Sequence, residues 1–244
     1  MDRLRRAGCV FAEEEAALLL ANVAPGELDD AVARRVVGEP LEHILGFAEF
    51  AGLRILLGPG VFVPRRRTEL LVALAVERLP HGGALVDLCC GSGAIAAAVA
   101  SQRPDAAVTA ADISPEAVAW AERNLAPFGG RAVVSDMGAE LSGPFDVVVA
   151  CPPYVPSDQI HLMPGEARDH EPIGALDGGP DGTDLQAAVF AAAARLLRGG
   201  GFAIVETSEH QAERTAQRAV DAGLGPSVGR DETLGATAVI ATKA

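Results

Sequence analysis

The spacing of apolar and polar residues changes character twice along this chain. Up to about Gly46 it is helical: residues 12–24 and 27–37 carry apolar positions three and four apart, and Gly38 closes the second run. Residues 46–62 break into short apolar runs split by Gly52, Gly58-Pro59 and Gly60, the pattern of a hairpin linker. Thr68 stands where a helix to Leu79 would be capped, and Pro80 with Gly82-Gly83 ends it. From residue 84 onward, strand-length apolar runs alternate with helical stretches. Residues 84–89, 107–113, 132–135, 146–150 and 201–207 read as strands. Residues 93–102, 115–126, 184–197 and 208–222 read as helices, with Ser114-Pro115 opening the second. Two closing strands, 227–230 and 236–242, have no helix between them and are expected to pair antiparallel. The alternation predicts an α/β protein: a doubly wound seven-stranded sheet with one antiparallel strand, preceded by a small helical N-terminal segment. The expected divisions are 1–46 helical, 47–66 hairpin linker and 67–244 sheet domain.

With 244 residues and 49% hydrophobic content, the chain can bury one full core and a small accessory segment. Its apolar stretches are broken by charge or proline before they reach bilayer length. The run Leu18-Leu19-Leu20 follows Glu13-Glu14-Glu15, unlike a secretory signal, so a cytoplasmic protein without a membrane partner is expected. A net charge of −13 disfavours nucleic acid as a partner. Arg5-Arg6, Arg34-Arg35 and Arg65-Arg66-Arg67 are too short to offset it. Cys9, Cys89, Cys90 and Cys151 form no CxxC pair and have no histidine at zinc-ligand spacing. Reduced thiols and no metal are expected.

Candidate chemistry clusters at the ends of the expected strands. Asp87-Leu88-Cys89-Cys90-Gly91-Ser92-Gly93 lies where the first strand turns into the first helix. Glycines there let backbone approach a ligand, and a helix start presents free amide donors. Cys89 occupies the first glycine position, so this is not the GxGxxG dinucleotide fingerprint; the looser form suits S-adenosylmethionine, which has no pyrophosphate. Asp112, followed by Ile113, ends the second strand, where a carboxylate can take both ribose hydroxyls. Asp136 ends the third, placed to accept from an adenine amino group with Met137 flanking the ring. A single strand-end Asp is more often a cap or turn former. Three at successive strand ends, followed by the next loop, point to the cofactor.

That loop is Cys151-Pro152-Pro153-Tyr154, directly after the apolar run 145–150. It resembles the Asn-Pro-Pro-Tyr loop of S-adenosylmethionine-dependent enzymes that methylate an amide or exocyclic amine nitrogen. Gly38-Glu39-Pro40-Leu41-Glu42-His43-Ile44-Leu45-Gly46, Val63-Pro64-Arg65 with Thr68-Glu69, and Glu171-Pro172, Ala175-Leu176 and Gly178-Gly179 extend the likeness. Together these resemble the release factor glutamine (N5) methyltransferase family from Gly38 to the C-terminus. The pattern is closest to a shorter group of such proteins whose substrate is unknown.

The resemblance implies a catalytic loop of Cys151, Pro152 and Tyr154, and a cofactor site of Asp87, Cys89, Gly91, Gly93, Asp112, Ile113, Asp136, Met137 and Cys151. Pro153, Tyr154, Arg65 and Glu171 would contact the substrate, and residues 1–46 would help to recognise it. A protein substrate, release-factor-like, is implied, with the enzyme a monomer or weak dimer. Three departures stand out: a shorter N-terminal helical segment, Arg66-Arg67 in place of the family's Pro-Asp, and Cys151 in place of Asn. In the family's arrangement the Asn oxygen and the following proline carbonyl each take one N–H, holding the nitrogen in line with the sulfonium methyl. A thiol is a weak acceptor. Losing one good acceptor costs about 1–3 kcal/mol, about 5- to 150-fold in rate. The alternatives are therefore a small-molecule N-methyltransferase acting on an amide or amine, and a cofactor-binding paralogue without activity. A nucleophilic Cys151 is disfavoured by the absence of an adjacent histidine. His43, His161 and His170 read as surface or loop residues.

Overall fold

A computed structural model describes residues 1–244. Four short helices come first: α1 (Asp2–Arg6), α2 (Ala12–Asn22), α3 (Leu28–Val36) and α4 (Leu41–Leu45). They close on a small core of Leu4, Ala12, Leu19, Ala31 and Leu41. The expected helices 12–24 and 27–37 are α2 and α3, while α1 and α4 are too short to produce a visible period. Gly46 ends α4 in a left-handed conformation at φ +80°, and the chain turns there into β1 (Phe47–Phe50) and β2 (Leu53–Leu56). These pair antiparallel with Phe47 opposite Leu56, the hairpin expected for the linker.

Next come α5 (Glu69–Arg78), β3 (Ala84–Leu88), α6 (Ala94–Gln102), β4 (Ala107–Asp112), α7 (Pro115–Leu125), β5 (Arg131–Val134) and β6 (Phe145–Ala150). A short α8 (Gly165–His170), α9 (Asp184–Leu196), β7 (Leu197–Thr207), α10 (Ala212–Asp221), β8 (Gly225–Asp231) and β9 (Ala236–Thr242) complete the chain. The seven strands lie in the order β5-β4-β3-β6-β7-β9-β8, and β9 alone runs against its neighbours. This is the doubly wound sheet with one reversed strand. Ser114 Oγ accepts from Ala117 N–H at 3.3 Å and Pro115 takes the first turn of α7, as expected. Thr68 departs from expectation. It sits in a short 3-10 turn before α5 and its side chain caps nothing.

Alternation along the strands feeds two cores. Val147 and Val149 of β6 pack with α5 and α6, whereas Val148 and Ala150 pack with α9 and α10. Burial on both faces explains why the strands read as continuous apolar runs. The order also reverses between β3 and β6, which are parallel with Leu88 opposite Ala150. Open α/β sheets bind ligands outside the carboxyl ends of strands at such a switch point. Here the loops after Leu88 and Ala150 leave side by side.

Candidate active site

The two loops at this switch point line a cavity of ≈ 370 Å³. One wall is the glycine loop, Cys89 to Ser92, and another is Cys151, Pro152, Pro153 and Tyr154. Asp112, Ile113, Asp136 and Met137 line it from the ends of β4 and β5, and Arg65 from the segment between the hairpin and α5. Gly60, Val61, Phe62 and Pro64 close the near side. That segment is held down on α7. Asn124 accepts from Leu56 N–H at 2.8 Å and donates to the Leu56 and Ser92 carbonyls at 2.8 and 2.9 Å, tying the hairpin to the glycine loop.

Backbone geometry accounts for the composition of the glycine loop. Cys89 is left-handed at φ +55°, a conformation that glycine adopts without strain and that costs other residues about 1 kcal/mol. Gly91 is left-handed too, and a Cβ there would meet nothing within 4 Å. Gly93 has a different reason: a Cβ would lie 2.8 Å from Ala121 Cβ, so it is a close contact between α6 and α7 and does not line the cavity. Asp112 braces the loop, its Oδ2 accepting from Gly91 N–H and its Oδ1 from Ser114 N–H, each at 2.9 Å.

Asp87 and Glu171 also lie outside the cavity lining. Asp87 is fully buried on β3 and its Oδ2 accepts from Ala96 N–H of α6 at 3.2 Å, while Oδ1 has no partner. Burial, reinforced by the charge of Asp112 against the Ala96 bond, pushes its carboxyl up to about 8. Glu171 is bound to Arg65 Nη2 through both oxygens, at 2.8 and 2.7 Å, and accepts from Val63 N–H at 3.1 Å. Burial pushes Glu171 up against the opposing pull of Arg65. This pair joins the segment between the hairpin and α5 to the stretch after the Cys151–Tyr154 loop. His43 is buried rather than at the surface, one ring nitrogen 3.0 Å from the Val61 carbonyl oxygen.

Tyr154 is fixed by residues that sequence reading passed over. Its hydroxyl donates to Glu206 Oε1 at 2.9 Å, and Arg67 Nε lies 3.1 Å from Tyr154 Oη and 3.2 Å from Glu206 Oε1. Glu206 is buried near the carboxyl end of β7. A signal was present: Glu206 is a strand-end acid after the apolar run 202–205, the same rule that picks out Asp112 and Asp136. Burial first, then the Glu206 carboxylate, pushes the Cys151 thiol well above its usual range. Cys151 is therefore a neutral thiol and not a nucleophile.

Residues 52–167 match the family model described as methyltransferase small domain. The release factor glutamine methyltransferase of Bifidobacterium longum is 35% identical over 274 aligned positions, covering 95% of this chain and 93% of that protein. The chain belongs to the release factor glutamine methyltransferase family. The Mycolicibacterium smegmatis member is 43% identical, covering 76% of this chain and 68% of its own length. The Geobacter sulfurreducens member is 42% identical, with 65% of its own length covered. A methyltransferase of Pyrococcus furiosus shares the fold, with a TM-score of 0.60 over 88% of this chain and 98% of that one at 19% identity. Family membership makes this chain an S-adenosylmethionine-dependent methyltransferase. The donor set fits that cofactor: strand-end carboxylates at Asp112 and Asp136, apolar Ile113 and Met137 beside them, and an open glycine loop. No helix is long and apolar enough to cross a membrane.

Proposed function

We propose that this enzyme methylates the side-chain amide nitrogen of a glutamine in a release-factor-like protein in the cytoplasm. The observation that carries the reading is the adjacency of two loops: Pro152 and Tyr154, leaving β6, share one cavity with Gly91 and Asp112. Bound S-adenosylmethionine supplies an electrophilic methyl group at a sulfonium. Asp112 would bind its ribose and Asp136 its adenine, with Ile113 and Met137 against the ring and Gly91 giving backbone room. Cys89 and Cys151 border the same site. Asp87 and Gly93 act indirectly, by fixing α6 behind the loop.

An amide nitrogen is a poor nucleophile because its lone pair is delocalised, so orientation carries the catalysis. The Pro152 carbonyl accepts one N–H, and Tyr154, locked by Glu206 and Arg67, stacks on the planar amide with Pro153 beside it. Arg65 and Glu171 hold the rim together through their ion pair. Residues 1–46 would contact the protein substrate. Val10 and Phe11, exposed in the connection between α1 and α2, and Leu20, exposed on α2, support that role, as does the Arg35–Glu166 pair at 2.9 Å, which links α3 to α8 after the catalytic loop.

The test is incubation with methyl-labelled cofactor and a release-factor glutamine peptide, alongside a matched cell lysate separated into protein and small molecules. Label on the peptide glutamine and in the protein fraction is expected. Label confined to small molecules would overturn the substrate and favour the small-molecule reading. No transfer from a cofactor-bound protein would favour the inactive paralogue.

A further inference from the structure

A second cavity, of ≈ 400 Å³, opens beside the first, and the two have only Arg67 and Tyr154 in common. One of its walls is a rung across three strands: Thr207 at the end of β7, Thr237 on β9 and Arg230 on β8 lie in register. The strand order puts this rung beyond β6 from the glycine loop, which leaves β3. Tyr154 and Arg67 therefore stand between the methyl-transfer cavity and a separate polar chamber that the cofactor loops do not touch.

Arg67 is built to serve both sides. Its Nε alone bonds Tyr154 Oη and Glu206 Oε1, at 3.1 and 3.2 Å, with the side chain 44% exposed. The terminal Nη1 and Nη2 make no hydrogen bond within the protein, so both amino groups of the fork are free for a ligand. The Arg67 charge is already balanced by the buried Glu206 carboxylate. In the second cavity Glu209, Asp231 and Glu232 outnumber Arg230, whose Nε lies 3.9 Å from Glu209 Oε1. A small anion is a poor fit to that balance; a neutral carbonyl oxygen is a good one. The opposite wall offers acceptors: those carboxylates, and the hydroxyl of Thr237, which is buried and bonds to no other group of the protein. Donors facing acceptors is the pattern that a polypeptide main chain satisfies, because each residue brings one C=O and one N–H.

We propose that the second cavity is a docking subsite for the main chain of the acceptor protein beside the methylated residue, with a flanking carbonyl oxygen taken by the free amino groups of Arg67. The proposal deepens the protein-substrate reading and rests on it. It also gives a use to one departure from the family pattern, since an Asp at position 67 would present acceptors where Arg67 presents donors. A small amide would fill the first cavity and leave the second empty.

The test is methylation of a release-factor glutamine peptide in which the main-chain amides flanking the glutamine are replaced by esters, one at a time. An ester carbonyl is a weaker acceptor than an amide carbonyl. One such ester should raise KM about fivefold in wild type and less than about twofold in Arg67→Ala. Any loss of turnover from unlocking Tyr154 is common to all the peptides and cancels in that comparison. Esters that act equally in the two proteins overturn the proposal. Where Arg67→Ala does not fold, Glu232→Trp, an exposed position on the β8–β9 turn, fills the chamber instead. It should raise the peptide KM about fivefold with S-adenosylhomocysteine affinity unchanged, and an unchanged KM overturns the proposal. A wild-type protein that methylates no peptide and no protein of a lysate removes the protein-substrate reading and the subsite together. One that methylates the peptide with flat ester and Glu232→Trp responses keeps the reading and loses the subsite.

Discussion

Replacing Cys151 by Asn is the most decisive change this site offers. The Asn Nδ2 would donate to Glu206 Oε2, a buried oxygen that now has no partner, leaving Oδ1 to face the cavity beside the Pro152 carbonyl. Asn is larger than Cys, and Cys151 is only partly buried against ≈ 370 Å³ of open space, so the extra atoms have room. A neutral amide–carbonyl bond is worth about 0.5–1.5 kcal/mol net. The thiol already supplies part of that, so the expected gain is about 1 kcal/mol, or roughly fivefold in the rate of transfer. Single-turnover methylation of a release-factor glutamine peptide, with cofactor saturating, reads that step directly. A Cys151→Asn rate equal to or below wild type, in protein that still binds the cofactor, would refute the clamp argument for this acceptor. A slower mutant on an acceptor recovered from lysate would show that Cys151 serves a different nitrogen.

Asp112→Ala should weaken S-adenosylhomocysteine binding by about 1–3 kcal/mol, because it removes the ribose carboxylate and the brace on Gly91 N–H; calorimetry with unchanged affinity would take Asp112 out of the site. Arg65→Ala leaves the Glu171 carboxylate, whose side chain is 0% exposed, without its charged partner. It should cost about 3 kcal/mol in denaturant unfolding at pH 8 and less at pH 5, where the carboxyl can take up a proton; a pH-independent loss under 1 kcal/mol would contradict the buried pair. Asp87 is raised in the folded state from 3.8 to about 8, so its contribution to stability is full below pH 3.8 and is lost as pH rises through about 8. Asp87→Asn should therefore gain melting temperature over wild type between pH 5 and pH 9 in the cofactor-free protein, and parallel pH curves would show that this carboxyl does not titrate so high. Deleting residues 1–37 should leave cofactor binding largely intact while lowering transfer to a protein acceptor, since the Arg35–Glu166 link and the first helices are lost; full turnover by the truncated chain would reduce that segment to a packing element.

Local pattern by itself determined the order of elements, the reversed strand and the acids at strand ends. Those features depend on backbone period and on turn residues, which act over a few positions. Hence β3, β4, β6 and the Ser114 cap lie where the apolar spacing puts them, and Asp112, Asp136 and the Cys151–Tyr154 loop reach one cavity. Only the tertiary structure decided which way each acid points. Asp87 alternates with its strand neighbours and faces α6, so burial claims it before the cavity can. Glu171 meets Arg65 across 106 positions, and Tyr154 meets Glu206 across 52, partnerships that no local spacing encodes. Thr68 reads as a helix cap because Thr before a helix usually caps one. Here its hydroxyl is buried without a partner, and it lines the same cavity as Cys151, which reached that cavity only when β6 packed between β3 and β7.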